Sequence, residues 1–162
     1  MRIVGPQLGC QTQCEAILRA VPEWFGIESA IVEYVRNIET LPTFLALEND
    51  DRAIGFMTVK MHFPPSADLY VLAVRKEHHR SGVGRALLGR VEAWLRGEAV
   101  RFLQVKTLAP AADYEPYERT RRFYEAMGFT PLEVFPTLWD PRNPCLMMIK
   151  ALVVDDAETH PA

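Results

Sequence analysis

The chain lacks the marks of several protein classes. Its cysteines, Cys10, Cys14 and Cys145, are odd in number, so they cannot make a complete disulfide framework. Cys10-x-x-x-Cys14 has no second ligand pair, which argues against a zinc site, and no other metal set is expected. We read all three as reduced thiols of a cytosolic (cytoplasmic) protein. No apolar run reaches the roughly 18 residues that a membrane span needs, and the N-terminal residues show no signal-peptide pattern. Positive charge is not in excess either: 18 Lys and Arg stand against 21 Asp and Glu, a formal net charge of −3. A nucleic-acid binder generally carries a basic balance, so neither nucleic acid nor membrane is an expected partner. Repeats and low-complexity linkers are missing as well. What is left is an ordinary globular composition, 49% hydrophobic and 24% charged over 162 residues. That is enough chain for one domain with a real core, expected over residues 1–154, with a polar, frayed tail at 155–162.

Against this acidic background one basic run stands out, Val71-Leu72-Ala73-Val74-Arg75-Lys76-Glu77-His78-His79-Arg80-Ser81-Gly82-Val83-Gly84-Arg85-Ala86-Leu87-Leu88. It reads as a strand, a turn with two glycines and the first turn of a helix. The first amides of a helix have no intrahelical partner and the dipole makes that end positive, so the arrangement suits an anion. Gly82 and Gly84 carry no Cβ and would let phosphate oxygens approach the backbone. Two familiar phosphate loops fit badly. A dinucleotide fingerprint needs a small residue where Leu87 stands and an acid about 20 residues on. A nucleotide-triphosphate loop needs Lys then Ser or Thr where Arg85 and Ala86 follow Gly84.

Hydrophobic periodicity gives the order of elements. Residues 2–5 read as a strand, 11–20 and 27–38 as helices, and 43–48 and 53–63 as a hairpin around Asn49-Asp50-Asp51. Leu69–Val74 is an apolar run suited to a central strand. Val83, Leu87, Val91, Trp94 and Leu95 form the core stripe of a helix. A strand follows at 100–108, a loop at 109–115, and a helix at 118–127 stopped by Gly128. Strands at 130–135 and 146–152 close the chain, joined by a loop from Leu138 to Pro144. The fold class is α/β of the α+β type: a central mixed, mostly antiparallel twisted sheet with flanking helices.

The glycine run resembles the acyl-coenzyme A signature of the GNAT acetyltransferase superfamily, in which a strand ending in Val is followed by Gln/Arg-x-x-Gly-x-Gly/Ala. Val74 and His79-Arg80-Ser81-Gly82-Val83-Gly84 take those places, with His79 standing for the usual Gln or Arg. Arg122-Phe123-Tyr124-Glu125-Ala126-Met127-Gly128-Phe129 resembles the superfamily's later Phe/Leu-Tyr-x-x-x-Gly-Phe helix. Tyr117 stands where many relatives carry Asn. The resemblance implies a single GNAT-like domain with a splayed parallel strand pair, acetyl-CoA as cosubstrate and no metal. It also implies transfer of an acetyl group to a primary amine, which we take to sit on a small molecule. Alternatives are acetylation of a protein N-terminus or lysine, and a non-catalytic acyl-CoA-binding module. Many relatives are homodimers, so a homodimer is open here too.

Residue roles follow from the same resemblance. Arg80, Ser81, Gly82, Val83, Gly84 and Arg85, with His79, would hold the pyrophosphate. The backbone of Leu72 and Val74 would line the pantetheine and thioester, and the Leu72 amide would be the oxyanion donor. Tyr124 is the candidate general acid and Asp68 the candidate base, with His62 and Tyr70 as lesser candidates. Strand alternation puts Asp68 on the same face as Leu72. The competing readings are a packing tyrosine and a strand-start carboxylate in solvent. Trp24, Phe25 and Tyr34 are candidate acceptor walls. Asp113, Glu115 and Glu118 could attract a cationic amine, and the Trp139–Cys145 segment could fold over the acceptor; the competing readings are a solvated or core role for each side chain and a plain structural turn for the segment.

Overall fold

A computed structural model describes residues 1–153. The expected tail at 155–162 lies outside the described residues. The chain runs β1 (Arg2–Gln7), α1 (Gln11–Arg19), α2 (Glu28–Ile38), β2 (Thr43–Leu47), β3 (Ala53–Phe63), β4 (Ser66–Val74), α3 (Val83–Gly97), β5 (Phe102–Leu108), α4 (Glu115–Ala126), β6 (Thr130–Asp140) and β7 (Asn143–Ala151). The strands form one sheet in the order β1-β2-β3-β4-β5-β7-β6. Every neighbouring pair is antiparallel except β4 and β5. The crossover between those two is α3, as a parallel connection requires.

Two cores lie on opposite faces. On one, Val83, Leu87, Val91 and Leu95 of α3 pack with Met57 and Val59 of β3, Leu103 and Val105 of β5, and Tyr124 and Phe129. On the other, Cys14, Ile17 and Leu18 of α1 and Ile38 of α2 pack with Phe56, Val71 and Ala73. Each fully buried Leu or Ile contributes about 1.5–3 kcal/mol. The three cysteines are free and buried. No described helix is long and apolar enough to cross a membrane.

Three expectations need correction. The central strand starts at Ser66, because a polar Ser-Ala-Asp entry is paired on both sides, with β3 and β5. Val100 does not open β5: its amide bonds the Leu95 carbonyl and closes α3. The Leu138–Pro144 loop is mostly hairpin. β6 runs to Asp140 and β7 starts at Asn143, around a two-residue turn that the Asp140 carboxylate caps by accepting from the amides of Arg142 and Asn143. Pro136 lies on β6, an edge strand, where a missing amide donor costs no ladder bond, and the β6 pairing is irregular between Phe135 and Asp140.

Candidate active site

The site grows out of one defect in the sheet. β4 and β5 pair from Ser66–Phe102 to Leu69–Val105, and there the pairing stops. Beyond it the two strands separate and leave a gap in the middle of the sheet. On its other edge β4 stays paired with β3 up to Gly55–Val74. The Arg75 amide donates to Ile54 of β3 at 2.8 Å. Alternation then turns Ala73 toward β3 and the amides of Leu72 and Val74 away from it, into the gap. The Val74 carbonyl accepts from His79 Nε2 at 2.7 Å. His79 thus fastens the end of β4, and its ring meets Trp24 edge to face at 5.3 Å between centroids.

The basic turn follows directly. A 3-10 turn at Lys76–His78 leads to Arg80, with φ of 60°, and Gly82, with φ of 84° and ψ of 4°. Left-handed backbone of that kind favours glycine. The first α3 bond runs from the Ala86 amide to the Gly82 carbonyl at 3.0 Å. The six amides from Arg80 to Arg85 have no acceptor among the described residues. Arg80 and Arg85 have no ion pair among them either, and Glu77, the acid within the turn, faces Arg52 at 3.3 Å. A donor cradle open to solvent and flanked by free cations fits a pyrophosphate. The two glycines differ in purpose. A Cβ on Gly82 would meet nothing within 4 Å, whereas one on Gly84 would lie 3.1 Å from the Phe123 ring of α4. Gly84 therefore serves helix packing in the first place, a use the sequence pattern does not reveal.

Tyr124 of α4 is packed into the core on the α3 face. It is 4% exposed, and its hydroxyl has no hydrogen-bond partner among the described residues. Burial pushes its phenol well above the usual tyrosine range, with smaller contributions from Tyr117, Asp68 and Tyr34. It stays a neutral O–H donor at any ordinary pH.

Asp68 is 5% exposed, which removes the solvent-carboxylate reading. Its Oδ2 accepts from Lys106 Nζ at 2.8 Å and lies 3.4 Å from His62 Nε2, while Oδ1 has no partner among the described residues. The expected face was wrong. β4 carries a bulge at Tyr70, where Thr58 pairs Val71 but Val59 pairs Leu69. The extra residue reverses the alternation. Leu69 and Leu72 consequently share the α3 face, and Val71 and Ala73 pack on the α1 face. Asp68 is on that second face, opposite the Leu72 side chain. Tyr124 and Asp68 therefore lie on opposite faces of the sheet, and the Leu72 amide is on the β4 edge between them.

On the Asp68 face, residues 20–27 form a strap between α1 and α2. Trp24 Nε1 donates to the Pro116 carbonyl at 3.1 Å and to Thr120 Oγ1 at 3.0 Å. Tyr117 donates to the Trp24 carbonyl at 2.7 Å, and Lys76 bonds Glu23 at 2.6 Å. The strap is thus tied to both α4 and the basic turn. Tyr117 is spent on this latch, which accounts for its taking the place of a smaller amide. Phe25, Tyr34 and Tyr70 form a row of edge-to-face rings, at 5.9 and 5.5 Å. Burial pushes the Tyr34 phenol up to about 12. Glu115 and Glu118 do not reach the gap: they pair with Arg119 and Arg122 along α4. Asp113 takes a left-handed turn conformation with φ of 49° ahead of that helix. Trp139 is exposed on β6. A shallow depression of about 370 Å³ continues from His62 along Phe63, Phe102, Gln104 and Ile149. Among the described residues no group of His, Cys, Asp and Glu could hold a metal.

Comparisons with known proteins agree with this fold. The family model of the acetyltransferase (GNAT) domain matches residues 41–131. No curated protein sequence matches the chain. Among solved structures, a GNAT-family protein from Desulfovibrio desulfuricans superposes with a TM-score of 0.75 at 23% identity, covering 94% of this chain and 99% of that one. An aminoglycoside 6'-N-acetyltransferase complexed with coenzyme A gives 0.74 at 18%, covering 94% and 98%. The ribosomal-protein-S18-alanine N-acetyltransferase from Escherichia coli gives 0.74 at 19%, covering 99% and 98%.

Proposed function

Because the chain belongs to the GNAT acetyltransferase family, and is an acyltransferase, we propose that it moves an acetyl group from acetyl-CoA to a primary amine on a small molecule. The observation that carries this reading is the pair of unsatisfied donor sets in line: six free amides at Arg80–Arg85, then the Leu72 and Val74 amides in the gap. The first set suits the pyrophosphate and the second the pantetheine and thioester. Arg80 and Arg85 add charge to the first, while the His79 side chain holds β4 in place.

Acetyl-CoA supplies the activated acetyl group. The chain's residues do the rest. The Leu72 amide stabilises negative charge as it develops on the carbonyl oxygen, a fixed dipole in a site shielded from water. Asp68, through Oδ1 directly or through a water, takes a proton from the attacking amine. Tyr124, neutral because it is buried, gives a proton to the leaving sulfur. The aromatic row Phe25, Tyr34 and Tyr70 walls the acceptor side.

The small-molecule reading is favoured by the strap. Tied at Trp24, Tyr117 and Lys76, it is held firmly on the acceptor side, which favours a compact acceptor over an extended peptide. Thiol release measured over a panel of small amines and short peptides tests this. Turnover with small amines and none with peptides is expected. Peptide turnover alone would overturn the assignment of substrate, and no catalytic turnover above the acceptor-free background with any amine or peptide would overturn the reaction.

A further inference from the structure

The chain carries an amine of its own in the acceptor site. Lys106 stands on β5 one residue past Val105, the last residue paired with β4, so its backbone sits where the gap opens. Asp68 is registered with Gln104, and alternation puts Lys106 on the same face as both. Its Nζ donates to Asp68 Oδ2 at 2.8 Å, the contact an incoming amine needs with its base. The Lys106 side chain is three-quarters buried, at 25% exposure. The other lysines are placed differently. Lys60 lies over the Tyr70 ring at 5.9 Å, Lys76 is paired with Glu23, and Lys150 is held by Glu92 and the Met127 carbonyl on the opposite face.

We propose that Lys106 is a self-acetylation site, modified by bound acetyl-CoA when no acceptor occupies the cleft. The inference rests on the acetyl-CoA reading given above. The step balances as follows. Asp68 takes one proton from the Lys106 ammonium and leaves the free amine. The amine nitrogen bonds the acetyl carbon as the carbon–sulfur bond breaks. The second nitrogen proton ends on the coenzyme sulfur by way of Tyr124, and Asp68 returns its own to water. The products are N-acetyl-lysine and free coenzyme A. An amide is neutral and cannot pair with Asp68 as the ammonium did. It also fills the acceptor side of the gap, so modification shuts the site. An acceptor amine competes with Lys106 for Asp68 and protects it.

The test is peptide mapping of the full chain after incubation with acetyl-CoA, alongside calorimetry of acetyl-CoA binding. Acetylation blocks tryptic cleavage at Lys106 and yields one peptide from Phe102 to Arg119 carrying one acetyl mass. Held beside the thioester, Lys106 should react at least about ten-fold faster than the exposed Lys60 and Lys76. The excess should vanish with added coenzyme A, with urea and in Lys106→Arg. Acetyl-CoA binding with Lys106 left unmodified would overturn this inference and leave the acetyltransferase reading standing. So would modification no faster than at Lys60 and Lys76. Absence of acetyl-CoA binding would remove both.

Discussion

Replacing Gly82 by alanine separates backbone strain from anion binding. The residue sits at φ of 84° and ψ of 4°, and an added Cβ would meet no atom within 4 Å. The folded state therefore loses only the left-handed penalty, about 1–2 kcal/mol. The Cβ enters open space at the turn that carries the Arg80–Arg85 amides, where phosphate oxygens are to approach. Strain relief would also turn those amides away. A hydrogen bond to a charged group contributes about 1.5–3 kcal/mol, so losing one weakens acetyl-CoA binding by about 10- to 150-fold. Gly89, on the same helix and also free of neighbours within 4 Å, is the control. Gly89→Ala should gain about 0.5–1 kcal/mol in stability with acetyl-CoA affinity unchanged. Calorimetry on both, with thermal melts to show that they fold, reads the result. A folded Gly82→Ala variant that binds acetyl-CoA as the parent does would refute the placement of the pyrophosphate.

Three further outcomes are expected. Tyr124→Phe removes a hydroxyl that has no partner among the described residues, so its melt should be close to the parent's. Turnover should nevertheless fall about 10²- to 10⁴-fold when chemistry limits, and pre-steady-state rates would check this. Asp68→Asn should lower turnover with acetyl-CoA affinity kept, read by steady-state kinetics and calorimetry; unchanged turnover would leave Asp68 as merely the partner of Lys106. Stability should drop as pH rises above about 10, because burial raises the phenols of Tyr34, Tyr117 and Tyr124 in the folded state. Those phenols ionise first in the unfolded chain, so their contribution is complete below the unfolded value of 10.0 and is lost toward and beyond about 12. Each removes up to about 1.4 kcal/mol per pH unit, measurable by urea melts between pH 9 and 11 as an approximate working range.

The elements with a strong hydrophobic period were legible in the sequence. β3 and the core stripe of α3 are where the apolar spacing puts them. The glycine turn and Tyr124 were legible as well, because short-range chemistry defines them: a left-handed Gly82, a helix start, and an aromatic on a helix stopped by Gly128. What escaped was set by pairing between distant strands. The Tyr70 bulge reverses the alternation on β4, and nothing local to Asp68 announces it. Lys106 drew no notice as one charge in a strand, since its partner lies 38 residues away across the parallel pair. The Trp24 latch to α4 joins residues more than 90 positions apart. The long β6–β7 hairpin runs through Pro136, which an edge strand tolerates.

A crystal structure of the protein with coenzyme A tests the central claim most directly. Pyrophosphate oxygens are expected at about 2.7–2.9 Å from amides within Arg80–Arg85. The pantetheine arm is expected along Leu72 and Val74 in the gap between β4 and β5, with the sulfur beside the Tyr124 hydroxyl. A pyrophosphate bound away from the Gly82 turn, or a sulfur lying outside that gap, would contradict this placement.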